Sequence, residues 1–402
     1  MSKWKTVHLG DIIKTNQSTY SPKENWKFVN YLDTGNITAN RVEKIQYINT
    51  DVDKLPSRAK RKVKRDSIIY STVRPNQLHY GIIKNQPDNF LVSTGFVVID
   101  VNTDKAIPEY IYYVLSQNEI IEHLQAIAEQ SVSAYPSIKP SDIENLNILL
   151  PDIEIQKRIV SVLSVIDGKI AVNETINNNL EQQAQTIFKS WFIDYEPFNK
   201  VRPMDWINGT IDDLGSEIIC GKTPSTQKKE YYGSDIPFIT IPDMHDCVYN
   251  VFTQKYLSVA GAASQPQKTL PPNSVCVSCI GTAGLVTLVA EKSQSNQQIN
   301  AITPRKDISV YYVYLLMQTL SDTINKLGQS GSTIVNLNKK QFGKINVTIP
   351  SKSVLYDFDI LCKPLFKMIY SNQKENIKLV NLRDVLLPKI MKAELNISDI
   401  NL

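Results

Sequence analysis

From Pro151 to Trp191 apolar residues recur in alternating steps of four and three, with Ile159, Ile166, Leu180 and Ile187 on one row and Leu163, Ile170, Ala184 and Trp191 on the next. That spacing is the seam of a coiled coil, so it predicts a long helix lying against another long helix. The same spacing returns near the C-terminus, where Phe358, Leu365, Leu379 and Leu386 make one row and Leu355, Cys362 and Ile369 the other. A constant offset of 199 residues relates the two segments, so Asn173 and Asn177 match Asn372 and Asn376. All four amides fall at seam positions, where they cost stability but pin register, because a slip would bury an amide opposite a leucine. Antiparallel pairing would bring them together as an asparagine layer at mid-coil; the alternative places them on a rotated, solvated face.

Between the helical segments the pattern changes to short apolar runs, which predict strands near 28–31, 47–48, 68–72, 80–83, 96–101 and 146–150. Pro108 starts a predicted helix reaching about residue 130, with Ile111, Leu115, Ile121, Leu124 and Ile127 broadly on one face. The second half repeats this order: Trp206 and Leu214-Gly215 echo Trp4 and Leu9-Gly10, strands follow near 237–241, 275–277 and 345–349, and a helix is expected over 310–327. The expected fold is mixed α/β: two α/β units, each followed by a long helix, with a pseudo-twofold internal repeat and an antiparallel coiled coil. The boundaries read 1–150, 151–195, 196–350 and 351–402. Pro364 lies inside the second long helix and should kink it or mark its effective start. Arg383 occupies a seam position, where the seam is expected to fray or open towards a partner.

With 402 residues the chain has room for two domains plus extended helices. No window approaches 18 uncharged apolar residues, which argues against a membrane span. The opening Met1 to Ile12 lacks the apolar core of a signal peptide, so cytoplasmic residence is expected. Five cysteines, unevenly spread, do not look like a disulfide framework. Cys276 and Cys279 are formally C-x-x-C, but they sit in a strand-like run and lack a second pair, so no metal site is expected. The net charge of +4 decides little; its distribution says more, because Arg58, Lys60, Arg61, Lys62, Lys64 and Arg65 form one dense run. Such a run is either a solvated face or a phosphate-binding one.

Catalytic motifs are hard to find. Gly221-Lys222-Thr223 suggests a phosphate loop, but the required first glycine position holds Ser216, and Pro224 follows where a helix should donate amides. Pro271-Pro272 lacks the preceding acid or amide of an adenine methyltransferase loop. Pro87-Asp88 and Pro242-Asp243 lack the acidic and lysine residues of a metal-dependent nuclease. The chain reads as a binder with no chemistry of its own.

The order of units resembles the specificity subunit of type I restriction-modification systems. Several segments carry the likeness: Gln156-Lys157-Arg158-Ile159, Ile187 to Phe192 with Asp194 to Pro197, Gly221 to Pro224, and Leu386-Leu387-Pro388-Lys389. The resemblance covers nearly the whole chain. It implies two target recognition domains, each reading half of a split, asymmetric site in double-stranded DNA. It also implies a coiled coil that docks two methyltransferase subunits, with restriction and translocase subunits joining through the complex. No cofactor is expected in this chain; S-adenosylmethionine and ATP would belong to the partner subunits. In the first unit Lys60, Arg61, Lys62, Lys64 and Arg65 are candidates for phosphate contact, and Arg74, Asn76, Gln77, His79 and Tyr80 for base edges. In the second unit the comparable loop residues are Lys222, Thr223, Gln227, Lys228, Lys229, Gln297, Gln298, Ser330 and Ser332.

Rival readings are a stand-alone two-headed DNA-binding protein, a scaffold that binds only protein, and a self-sufficient methyltransferase or nuclease. A helix of about 40 residues is roughly 60 Å long, enough to hold two reading heads about one DNA turn, roughly 34 Å, apart. Deleting one heptad from either long helix is therefore expected to change the spacer tolerated between half-sites, as read by sequencing methylated DNA; an unchanged spacer would contradict the ruler role.

Overall fold

The computed structural model describes residues 4–130, 136–329 and 335–395. Two compact units divide the chain, one formed by Met1–Asp167 with Asn381–Leu402 and the other by Gly168–Val380. Each unit takes a share of both long helices.

In the first unit, strands Ile13–Thr15, Phe96–Val101, Ile68–Ser71 and Tyr80–Ile82 pair antiparallel in that spatial order. A second sheet runs Gln46–Asn49, Phe28–Leu32, Phe90–Ser93, Ala59–Lys62, with one parallel pairing, between Phe28–Leu32 and Phe90–Ser93. Lys5–His8 pairs with Asn147–Leu150, so the unit closes on itself before the first long helix begins. The second unit repeats the scheme with Gly215–Cys220, Ile299–Pro304, Val275–Ser278 and Val286–Val289 in its larger sheet, and with Ile207–Thr210 paired to Asn346–Ile349. Even single tyrosine contacts recur: the Tyr110 hydroxyl donates to the Leu149 carbonyl at 2.6 Å, and the Tyr312 hydroxyl to the Thr348 carbonyl at 2.5 Å.

The helix expected over 108–130 is two helices, Pro108–Leu115 and Asn118–Glu129. Ser116 and Gln117 break it by turning their side chains onto the Tyr113 and Val114 carbonyls, which competes with continuing the helix. The first piece is buried nearly all round, and the second buries only Ile121, Leu124 and Ala128. The expected 310–327 helix likewise splits into Val310–Thr319 and Ser321–Gly328. Single-face periodicity merged elements whose buried faces differ.

The long helices are Ile153–Phe192 and Lys352–Met391, 40 residues each. Pro364 does not mark a start, because the second helix begins twelve residues earlier and runs through it. The proline is exposed, and its buried neighbours Cys362 and Phe366 keep the turn packed. At their ends the helices enter the α/β cores. Ile159 and Leu163 are buried with Leu9, Ile148, Leu387 and Ile390 in the first unit, and Ala184, Phe188 and Phe192 with Phe358, Cys362 and Phe366 in the second. Fully burying each such side chain contributes roughly 1.5–3 kcal/mol. Gln156, also buried, accepts from the Ile107 amide at 2.8 Å and donates to the Pro151 carbonyl at 2.9 Å, which ties the first turn to its unit.

Within the second unit the two helices run antiparallel through an asparagine layer. Asn173 Nδ2 donates to Asn376 Oδ1 at 2.8 Å, and Asn372 Nδ2 donates to Asn177 Oδ1 at 2.9 Å. Asn173 also donates to Glu375 at 2.8 Å, and Glu375 pairs with Lys169 at 3.3 Å. The bond from Asn173, reinforced by Lys169, holds the Glu375 carboxyl below its ordinary range. The flanking seam residues Ile170, Leu180, Ile187, Leu365 and Leu379 are half-buried, Ile369 is buried, and the Trp191 and Phe358 rings lie 6.0 Å apart. In the first unit Ile166 is buried and Leu386 half-buried, and Arg383 does not open the seam. It donates to Asp167 at 3.1 Å and Asp384 at 3.0 Å, while the Tyr113 hydroxyl donates to the other Asp167 oxygen at 2.8 Å.

Replacing Asn173 with Ala strips Asn376 of its donor inside a half-buried layer and is expected to cost about 1–3 kcal/mol. Replacing Asn173 and Asn376 together with Leu should recover that loss; urea unfolding of the three proteins checks it, and equal stability of the Ala variant and wild type would contradict it.

Candidate nucleic-acid interface

Each unit carries a hairpin that joins two antiparallel neighbours of one sheet, Ile68–Ser71 with Tyr80–Ile82 in the first unit and Val275–Ser278 with Val286–Val289 in the second. In the first unit it spans 72–79, and its backbone is held by Ile138 donating to the Thr72 carbonyl at 2.8 Å and Arg74 donating to the Pro136 carbonyl at 3.0 Å. In the second unit Leu337 donates to Cys279 at 2.9 Å and Gly281 to Val335 at 3.0 Å, the same two bonds at the same places. The hairpin sequences differ completely. Arg74-Pro75-Asn76-Gln77 stands in one and Gly281-Thr282-Ala283-Gly284 in the other. Arg74 and Leu78 adopt positive φ without being glycine, whereas Gly281 and Gly284 meet the same demand at no steric cost.

Arg74, Asn76 and Gln77 are exposed on this hairpin, and the Asn76 amide is fixed by Gln125 Oε1 at 3.3 Å. His79 is half-buried, its Nδ1 donating to the Ile37 carbonyl at 2.6 Å. Tyr80, expected at a base edge, is a core residue: it is 7% exposed, with its ring stacked 5.5 Å from that of Tyr70. Strand alternation turns it inward between the sheet and Tyr112.

The basic run is itself the edge strand Ala59–Lys62 followed by a turn. Lys60 is exposed, while Arg61 is half-buried and its Nε has no hydrogen-bond partner among the described residues. Lys62 pairs with Glu24 and lies 5.1 Å over the Trp26 ring, and its ammonium holds the Glu24 carboxyl below its ordinary range. Lys64 pairs with Asp100 at 3.6 Å and Arg65 with Asp66 at 4.0 Å. Much of the charge is thus met locally.

In the second unit the loop 221–224 is pressed against 295–297. Lys222 donates its amide to the Ser295 carbonyl at 2.9 Å, Gln265 donates to the Lys222 carbonyl at 2.7 Å, and Lys268 to the Cys220 carbonyl at 2.9 Å. Gly221 is required by that approach, since a Cβ there would sit 2.1 Å from the Asn296 carbonyl oxygen. Above this junction Thr223 Oγ1 donates to Gln297 Oε1 at 2.8 Å, so two of the expected contact residues meet. Gln298 turns inward, accepting from Asn296 at 2.9 Å and donating to the Ile280 carbonyl at 3.4 Å. Lys228 is held on Tyr231, 3.1 Å from its hydroxyl, and Gln227 and Lys229 are exposed on the same turn. Ser330 and Ser332 lie outside the described residues.

The hairpin Gly281 to Gly284 and the exposed Thr94 escaped the sequence reading. The copies are offset by 199 residues in the helices but by 207 at this hairpin, so one fixed offset could not find it.

Among the described residues no three His, Cys, Asp or Glu side chains gather as a metal site. Burial pushes the Cys276 and Cys279 thiols up to about 12, which leaves them poor nucleophiles and ligands. No described helix is long and apolar enough to cross a membrane.

The family model described as the type I restriction modification DNA specificity domain matches residues 1–182 and 203–361. The chain is 34% identical to the type I restriction enzyme HindI specificity subunit of Haemophilus influenzae, over 98% of this chain and all of that one. It is 26% identical to the type I restriction enzyme MjaIX specificity subunit of Methanocaldococcus jannaschii, over 74% of this chain and 71% of that one. In fold it is similar to the crystal structure of a type I restriction-modification system S subunit from M. genitalium, with a TM-score of 0.57 at 16% identity, covering 97% and 96% of the two chains.

Adding a methyl at Gly221 forces apart two backbone segments, and Gly221→Ala is expected to cost about 1–3 kcal/mol by overpacking. Thermal unfolding with hydrogen exchange of residues 221–224 and 295–298 checks this; unaltered exchange there would contradict it.

Proposed function

This chain belongs to the type I restriction-modification DNA specificity family, and from that premise we propose that it is the DNA-recognition subunit of a type I restriction-modification complex. Each α/β unit reads one part of a bipartite, asymmetric site in double-stranded DNA, and the paired long helices dock two methyltransferase subunits. The chain itself is non-catalytic. S-adenosylmethionine sits on the methyltransferase and ATP on a restriction and translocation subunit.

The observation that carries this reading is a framework built twice with different loops. Matching backbone bonds hold the two hairpins, yet one presents Arg74, Asn76 and Gln77 and the other two glycines around Thr282. A binder of two unlike half-sites needs this combination, because rigid elements position the loops that specify. Arg74 is suited to guanine and Asn76 or Gln77 to adenine in the major groove. Lys60, Lys64, Arg65, Lys222, Lys228 and Lys229 serve phosphates, where they set affinity and its salt dependence.

The test is co-expression of the chain with an adenine-methylating partner in a host free of such marks, followed by sequencing of methylated adenines. The reading expects one bipartite motif that appears only when both proteins are present. Specific binding by the purified chain with no effect of any methyltransferase subunit would favour a stand-alone binder and overturn it.

A further inference from the structure

Gln298 offers a way to align the two units at their exposed loops. Its carbonyl accepts from the Cys279 amide at 2.8 Å, just ahead of strand Ile299–Pro304. In the first unit the Gly95 carbonyl accepts from the Thr72 amide at 2.8 Å, just ahead of strand Phe96–Val101. Ser71 pairs with Phe96, and Ser278 pairs with Ile299, so the register agrees. It follows that Thr94 and Gln297 occupy one place in the repeated framework, and both are exposed.

Their supports are rigid and different. Thr94 donates its amide to the Arg58 carbonyl at 2.8 Å, at the head of the basic strand. Gln297 lies between buried Asn296 and inward-turned Gln298, on the junction that Gly221 allows. Thr223 Oγ1 donates to its Oε1 at 2.8 Å, which anchors the amide and leaves a second lone pair on Oε1. Among the described residues its Nε2 has no protein partner. An amide presented in this way, one acceptor and one donor side by side, matches the N6 donor and N7 acceptor of adenine in the major groove.

We propose that Gln297 and Thr94 are the equivalent base-reading positions of the two units, with Gln297 reading the adenine of an A·T pair and Thr223 acting as its positioning residue. This rests on the DNA-recognition reading above and names the residue and base within it. Thr94, a hydroxyl in place of an amide, makes the first unit read a different base pair at the corresponding place.

The test uses the chain in complex with its methyltransferase partner and competing duplexes that differ from the site by one base pair. Gln297→Ala should lower discrimination at one A·T position of one half-site by about tenfold to a hundredfold, leaving the other half unchanged. Gln297→Arg should shift the preference there towards G·C. Thr223→Val should lower the same ratio, and Thr223→Ser should restore it, which a purely structural role would not require. Thr94→Ala should alter the other half-site alone. Ratios unchanged at every position, or a uniform loss of binding that leaves each ratio as in wild type, would overturn the inference. A wild-type complex that recognises no bipartite site would overturn the functional reading, and this inference with it.

Discussion

The register of two antiparallel helices, set by four asparagines, is the constraint on which the rest depends. Apolar seam residues alone would allow neighbouring registers, because one leucine or isoleucine packs against another at small cost. The amides do not. Asn173 meets Asn376 and Asn177 meets Asn372, and a slip in either direction would leave buried donors facing hydrocarbon. Beyond this layer, Arg383 and Asp167 add a second polar lock inside the first unit, with Tyr113 holding the remaining carboxylate oxygen. Each lock lies within one compact unit, so each unit fixes its own share of the helix pair.

Fixed helix ends in turn fix the α/β frameworks, because the terminal turns are part of the cores. Ile159 and Leu163 belong to the first core as much as to the seam, and Phe358 and Cys362 to the second. Buried Gln156 joins the helix start to Ile107 and Pro151 through both ends of its amide. What is left free to vary is what the frameworks hold up: the hairpins at Arg74 and Gly281, the junction at Thr223 and Gln297, and the edge strand at Lys60. These segments can then differ between the two units without disturbing the buried frameworks beneath them.

The long helices and the internal repeat were legible in the sequence because both depend on periodic burial, which leaves a regular trace. The shorter elements were less so. Residues 108–129 and 310–328 read as single helices because apolar positions continue across the breaks, while the breaks depend on side-chain bonds to carbonyls that periodicity does not register. The basic run read as a charged surface but is the paired strand Ala59–Lys62 and the turn after it, in which Lys62 and Lys64 meet Glu24 and Asp100 from elsewhere in the unit and Arg65 meets the adjacent Asp66. Tyr80 read as a base contact because it follows a polar turn, yet strand alternation points it into the core. Thr94 carried no signal, since one threonine before a glycine is unremarked until the register shows what it matches.

Cross-linking tests the helical register most directly. With the native cysteines replaced by serine or alanine, Asn177→Cys combined with Asn372→Cys is predicted to form a disulfide within one chain under mild oxidation, and Asn177→Cys combined with Leu379→Cys is predicted not to. Reversal of that order, or bonds formed only between chains, would contradict the antiparallel pairing from which the whole account proceeds.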